Sequence, residues 1–122
     1  MKKTLLIISF SFATLLCNAQ KTFVEKYTSY VTNINDITSE TKIASVTIIF
    51  NAEDTTDILI YTSDSPKRLY RTGEIINGKS NGGFEYQLVN CIDSETGKQV
   101  IVQLFKDACR VFMESDYIEY DK

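Results

Sequence analysis

The stretch from Phe84 to Phe105, FEYQLVNCIDSETGKQVIVQLF, decides how this chain folds. In an extended conformation its first half sets Phe84, Tyr86 and Leu88 on one side and Glu85 and Gln87 on the other. Asp93-Ser94-Glu95-Thr96-Gly97 follows, a polar run ending on a glycine where a tight hairpin needs a left-handed residue. The return run, Gln99 to Phe105, alternates Val100, Val102 and Leu104 against Gln99 and Gln103. The pattern predicts an amphipathic β-hairpin. Glu85, Gln87, Gln99 and Gln103 are expected to meet water, while Tyr86, Leu88, Val100 and Val102 fill the interior.

The same grammar extends in both directions. Lys106-Asp107 starts another reversal, and Cys109 to Glu114 and Tyr117 to Tyr120 supply two more strands. Upstream, Ile43 to Phe50 alternates Ala44, Val46, Ile48 and Phe50 against Ser45 and Thr47, and the loop Asn51 to Thr56 turns the chain back. Asp57 to Thr62 is apolar on both faces through Ile58, Leu59, Ile60 and Tyr61, and Ser63-Asp64-Ser65-Pro66 ends it. Arg68 to Ile76 is a mixed run in which Gly73 suits a bulge, and Asn77 to Gly83, NGKSNGG, is expected to be a mobile loop.

At Thr22 to Ile34 two signals conflict. Phe23, Val24, Tyr27, Tyr30, Val31 and Ile34 would fill one helical face behind a capping box, Thr22-Phe23-Val24-Glu25. Tyr27, Thr28, Tyr30, Val31 and Thr32 favour a strand, and Asn35-Asp36 offers a turn into Ile37-Thr38. We take the strand; the alternative is an α+β fold with a helix at about 23–34 packed on the sheet. The expected fold is therefore mainly β, an antiparallel up-and-down meander of seven or eight strands forming a small barrel or half-barrel, because closure hides the edges.

The leader MKKTLLIISFSFATLLCNAQ carries Lys2 and Lys3, an apolar run from Leu5 to Leu16 and a polar exit, the order of a secretory signal peptide. The run is too short to span a bilayer, so no stable membrane anchor is expected after cleavage. Cys17 and Ala19 place small side chains for a cut before Gln20, whereas lipidation at Cys17 is disfavoured by bulky Leu15 and Leu16. The expected organisation is a signal peptide at 1–19 and a single β-rich domain at 20–122, located in the periplasm or the medium. Loss of Lys2 and Lys3 leaves 11 Lys and Arg against 16 acids, a mature charge of −5 without a basic block. That composition argues against nucleic acid as a partner.

Several side-chain groups have the composition of a site. Lys67, Arg68 and Arg71, with Tyr70 among them, form the nearest approach to a basic patch and read as a solvated strand end. Asn51, Glu53, Asp54 and Asp57 bring oxygen donors into one loop, but without the glycine and terminal glutamate of a calcium hand. Glu74, Glu85, Glu114 and Glu119 could in principle supply a carboxylate pair for glycoside hydrolysis, yet all sit in or beside strands as polar partners. Cys91 and Cys109 lie near the end of one strand and the start of the next but one, a layout that argues against a disulfide. There is no histidine, which removes Ser-His-Asp and Cys-His catalysis and the commonest transition-metal ligand.

The leader ending Asn18-Ala19-Gln20 and the order KYTSYVTNIND, TIIFN, ILIY, GFEYQLV, CIDSETG, VQLF and DYIEY resemble small exported proteins of unknown function in Bacteroidota. The resemblance implies a β-rich exported domain without an assigned activity. No catalytic, cofactor-binding or metal-binding residue is expected, and no cofactor. The expected role is a non-catalytic binding or interaction module for a small apolar ligand or a protein partner. The alternative is a small enzyme or enzyme inhibitor with a loop-built site. An interior cavity would favour the ligand; a filled core with an outer apolar patch would favour the protein.

Overall fold

A computed structural model describes residues 21–62 and 66–122. The expected signal peptide, Cys17 and the Gln20 start lie outside the described residues, as do Ser63 to Ser65. Ten strands follow in order: β1 (Phe23–Ile34), β2 (Ile37–Thr38), β3 (Lys42–Phe50), β4 (Ile58–Tyr61), β5 (Lys67–Arg71), β6 (Ile76–Lys79), β7 (Glu85–Asp93), β8 (Gln99–Phe105), β9 (Ala108–Met113) and β10 (Asp116–Asp121). Every pairing is antiparallel, and β1 bonds β3 on one side and β10 on the other. The result is a closed eight-stranded up-and-down barrel with β2 and β6 as additional strands.

Closure explains why β1 is a strand and not the alternative helix. Phe23 to Tyr30 pair with β3 and Ser29 to Asn33 pair with β10, so the segment satisfies the backbone of two otherwise open edges. A helix there would leave both edges unpaired. The apolar helical stripe is also not the buried set: Tyr27 is 1% exposed, but Val24 and Ile34 are about half exposed at 48% and 51%. Asn35 and Asp36 make the turn into β2 with positive φ of 53° and 63°, as a two-residue hairpin requires.

The NGKSNGG segment departs from expectation. Asn77, Gly78 and Lys79 belong to β6 and pair with Gln87, Tyr86 and Glu85, so only Ser80 to Gly83 turn the chain. Glycine and asparagine are poor strand formers, but an adjacent strand offering backbone partners overrides that preference. The chain takes five steps from Arg71 to Ile76 while β7 takes three from Cys91 to Leu88, and the excess forms an irregular bulge around Gly73.

A second correction concerns the face of β7. Tyr86 and Leu88 do not fill the interior; Gln87 does, at 1% exposure, in line with Val89 and Cys91. Pairing decides this. Cys91 is opposite Val100 and Val89 opposite Val102, so the inward face of β8 selects the odd-numbered residues of β7. Val100 and Val102 are inside as expected.

Following the register, Phe23 pairs with Phe50, Phe50 with Ile58, Ile58 with Leu69, and Leu69 with Asp93. A line perpendicular to the strands thus runs from the start of β1 to the end of β7. The strands are strongly tilted, as closure of an eight-stranded barrel demands. The interior is packed by Tyr27, Val46, Ile48, Phe50, Leu69, Val102 and their neighbours. Cys91 and Cys109 are both free thiols on the inward face, fully buried, with β8 between their strands.

Candidate functional site

The two ends of the barrel differ. At the end where β3 leads into β4, Phe23 and Phe50 stack with centroids 4.8 Å apart, and Asn51 and Ala52 are each 1% exposed. Asn51 takes a left-handed φ of 54°, and its Nδ2 donates to the Lys21 carbonyl at 3.0 Å. Thr22 Oγ1 donates to the Asn51 carbonyl at 2.6 Å. The loop is thereby folded over this end as a cap.

The opposite end, where β1 finishes and β3 begins, is open among the described residues. A hollow of about 830 Å³ lies there, with Tyr30, Ala44, Val46, Ile118 and Tyr120 on its inner lining and the hydroxyl side chains of Ser45, Thr47 and Thr62 toward its rim. Tyr30, Ala44 and Ile118 pack against the core cluster to which Val46 and Tyr120 belong, so the hollow continues the core outward. Tyr120 sits between Tyr27 and Tyr30, with both ring centroids at 6.3 Å. Burial, and then the neighbouring Cys109 and Tyr30, push the Tyr120 phenol up to about 12, so it is a neutral hydrogen-bonding group at any physiological pH. Ile43, on the rim, is 86% exposed, and Tyr61 beside it is 37% exposed.

A second hollow, of about 620 Å³, lies on the outer wall between the β6–β7 and β8–β9 turns. Its lining is mixed: Phe84 and Phe105 supply rings, and Glu85, Lys106, Arg110 and Glu119 supply charge. Arg110 Nε donates to Glu119 Oε1 at 2.6 Å, and its guanidinium lies over the rings of Phe105 at 5.7 Å and Tyr117 at 5.3 Å. Burial, with help from Glu119, raises Asp121 to about 6; Arg110 only partly opposes the shift.

The groups singled out in the sequence fall as follows. Lys67 pairs with Asp93 at 2.8 Å, Arg68 with Asp57 at 2.6 Å and with Glu53, and Arg71 turns inward, so the three cations do not form one surface. Glu53 and Asp57 are both occupied by Arg68, and Asn51 by Lys21, which leaves the β3–β4 loop without a set of converging carboxylates; the Asp54 side chain lies outside those described. Among the described residues no group of three or more His, Cys, Asp or Glu side chains is placed to hold a metal. Of the four glutamates, the fold brings Glu85 and Glu119 to one hollow; Glu114 lines a different depression and Glu74 is exposed elsewhere.

Sequence reasoning missed the polar groups inside. Tyr27 Oη, Gln87 Oε1 and Arg71 Nη1 are buried without a hydrogen-bond partner among the described residues. Their presence there follows from register, and only the parity of Val89 and Cys91 could have signalled it for Gln87. The fold places the chain in the class of small, closed, antiparallel β-barrels. Comparisons with family models, with curated proteins and with solved structures found no match.

Proposed function

We propose that the chain is an exported, non-catalytic binding module whose mature form begins at Gln20 and takes a small apolar ligand at the open end of the barrel. The observation that carries this reading is the hollow in which Tyr30, Ala44, Val46, Ile118 and Tyr120 continue the apolar core toward a rim carrying Ser45, Thr47 and Thr62. Its volume of about 830 Å³ lies in the range of small-molecule pockets. An apolar ligand seated there covers side chains that would otherwise meet water, such as Ile43. The phenols of Tyr30 and Tyr120 and the rim hydroxyls of Ser45, Thr47 and Thr62 supply the polar contacts that orient it. The core beneath is filled, so the ligand sits in the mouth of the barrel rather than in an interior cavity. The absence of histidine from the chain supports a binding role over acid–base catalysis.

Protein recovered from outside the cytoplasm is to be examined by intact and native mass spectrometry, then titrated with the uncharged apolar fluorophore N-phenyl-1-naphthylamine. The expected result is a mass beginning at Gln20 and a saturable fluorescence rise. Ala44→Trp, which fills the hollow, abolishes that rise while the thermal melt remains cooperative. Saturable binding that survives the filling substitution would refute the assignment.

A further inference from the structure

The outer wall of an eight-stranded barrel ordinarily alternates polar residues toward water, yet here one side carries Tyr86, Phe105, Phe112 and Tyr117 on adjacent strands. They form a supported ladder. Tyr86 meets Phe105 edge-on at 5.5 Å, and Phe112 meets Tyr117 at 5.2 Å. Arg110 lies over both Phe105 and Tyr117. Gly78 permits the arrangement, since a Cβ there would lie 2.5 Å from ring atoms of Tyr86. At its lower end the ladder opens into the hollow of about 620 Å³ described above.

The turn beside that hollow is built to hold a ring. Ser80 N donates to the Phe84 carbonyl at 2.8 Å, Gly83 N to the Ser80 carbonyl at 2.9 Å, and Phe84 N to Ser80 Oγ at 3.1 Å. Gly82 lies close under the Phe84 ring, where an added Cβ would come within 3.2 Å. The ring is braced from that side and remains 69% exposed. Phe105 and the guanidinium–carboxylate pair of Arg110 and Glu119 lie on the same lining, with Glu85 and Asp107 of one sign and Lys106 of the other.

We propose that this hollow is a saccharide-binding site. A sugar ring has an apolar CH face and an equatorial rim of hydroxyls that both donate and accept. The exposed Phe84 ring meets the face, with Phe105 adding apolar lining beside it, and planar carboxylate and guanidinium groups bond the rim. Lining charges of both signs disfavour a strongly anionic or cationic ligand, which would meet like charge on one wall, whereas a neutral polyol can use both. The volume accommodates a short oligosaccharide. This site is separate from the open end of the barrel, so the two assignments stand or fall independently.

The test is a glycan array with the full mature protein, followed by calorimetric titration with the trisaccharide of the strongest signal; maltotriose, cellotriose, laminaritriose and chitotriose serve as soluble probes. Saturable binding is expected, weakened about tenfold or more by Phe84→Ala, an exposed turn substitution that leaves the melt unchanged. Glu119→Gln tests the polar rim without removing volume and is also expected to weaken binding. Ala44→Trp, on β3 and outside this lining, leaves saccharide affinity intact. Absence of any glycan signal, or affinity unaffected by both Phe84→Ala and Glu119→Gln, overturns the proposal, as does selective binding of charged peptides only.

Discussion

Replacing Gln87 by methionine should make the protein more stable, although Gln87 is among its most completely buried residues at 1% exposure. Its Oε1 has no donor among the described residues, and a buried acceptor in that state costs about 1–3 kcal/mol. Its Nε2 donates to Asn77 Oδ1 at 3.2 Å, a long bond worth about 1 kcal/mol. Methionine removes both groups at nearly constant volume and bends to fit the space. Asn77 is exposed, so its freed oxygen returns to water. The balance is a net stabilisation of about 1 kcal/mol, which for a domain of this size raises Tm by roughly 4–8 °C. Calorimetric melts and urea titrations of the two proteins measure it, with an unchanged urea m-value showing that the native state is intact. A fall in Tm of several degrees would show that Oε1 is engaged in the native protein and that the argument from an unmet acceptor is wrong.

Three further outcomes follow from the same structure. Val102→Asp should abolish cooperative folding because it puts a carboxylate at a 1% exposed position facing the core, whereas Leu88→Asp, on the half-covered outer face, should cost about 1 kcal/mol; equal damage in thermal melts would overturn the assigned face of β7. Asp121 is raised to about 6, so between about pH 4 and pH 6 the native state binds more protons than the unfolded one and stability falls as pH rises. Solvent screening of this half-buried group holds the effect to about 1 kcal/mol, and a melt series across that window should show it disappear in Asp121→Asn. Burial pushes the Cys91 thiol up to about 12 and raises Cys109 as well, so neither should react with a thiol reagent at pH 8 until urea unfolds the barrel; immediate labelling of the native protein would contradict their placement.

Much of the candidate saccharide site was readable as residues but not as a site. Glu85, Glu119, Phe84 and Phe105 were visible as members of strands and turns, yet nothing in their spacing along the chain relates the β6–β7 turn to β10. The fold brings them together because β7, β8, β9 and β10 are consecutive neighbours in the sheet. The open hollow had even less signal: Tyr30, Ala44 and Ile118 look like ordinary core residues until the register leaves them at the barrel end.

The antiparallel meander is legible along the chain, because apolar alternation with period two and polar turns at Asn35-Asp36, Asp93 to Gly97 and Lys106-Asp107 are local properties. So is most of the core: Val46, Ile48, Phe50, Val100, Val102 and Leu104 lie on the faces their alternation predicts. Strand pairing across the whole sheet, by contrast, sets its closure, the double service of β1 to β3 and β10, and the inward turn of Gln87 while Tyr86 and Leu88 face out. The reason is that alternation defines two faces of a strand without saying which is inside. On β7 both faces carry apolar residues, so the choice passes to the partner strand, where Val100 and Val102 bring Cys91 and Val89 with them into the core.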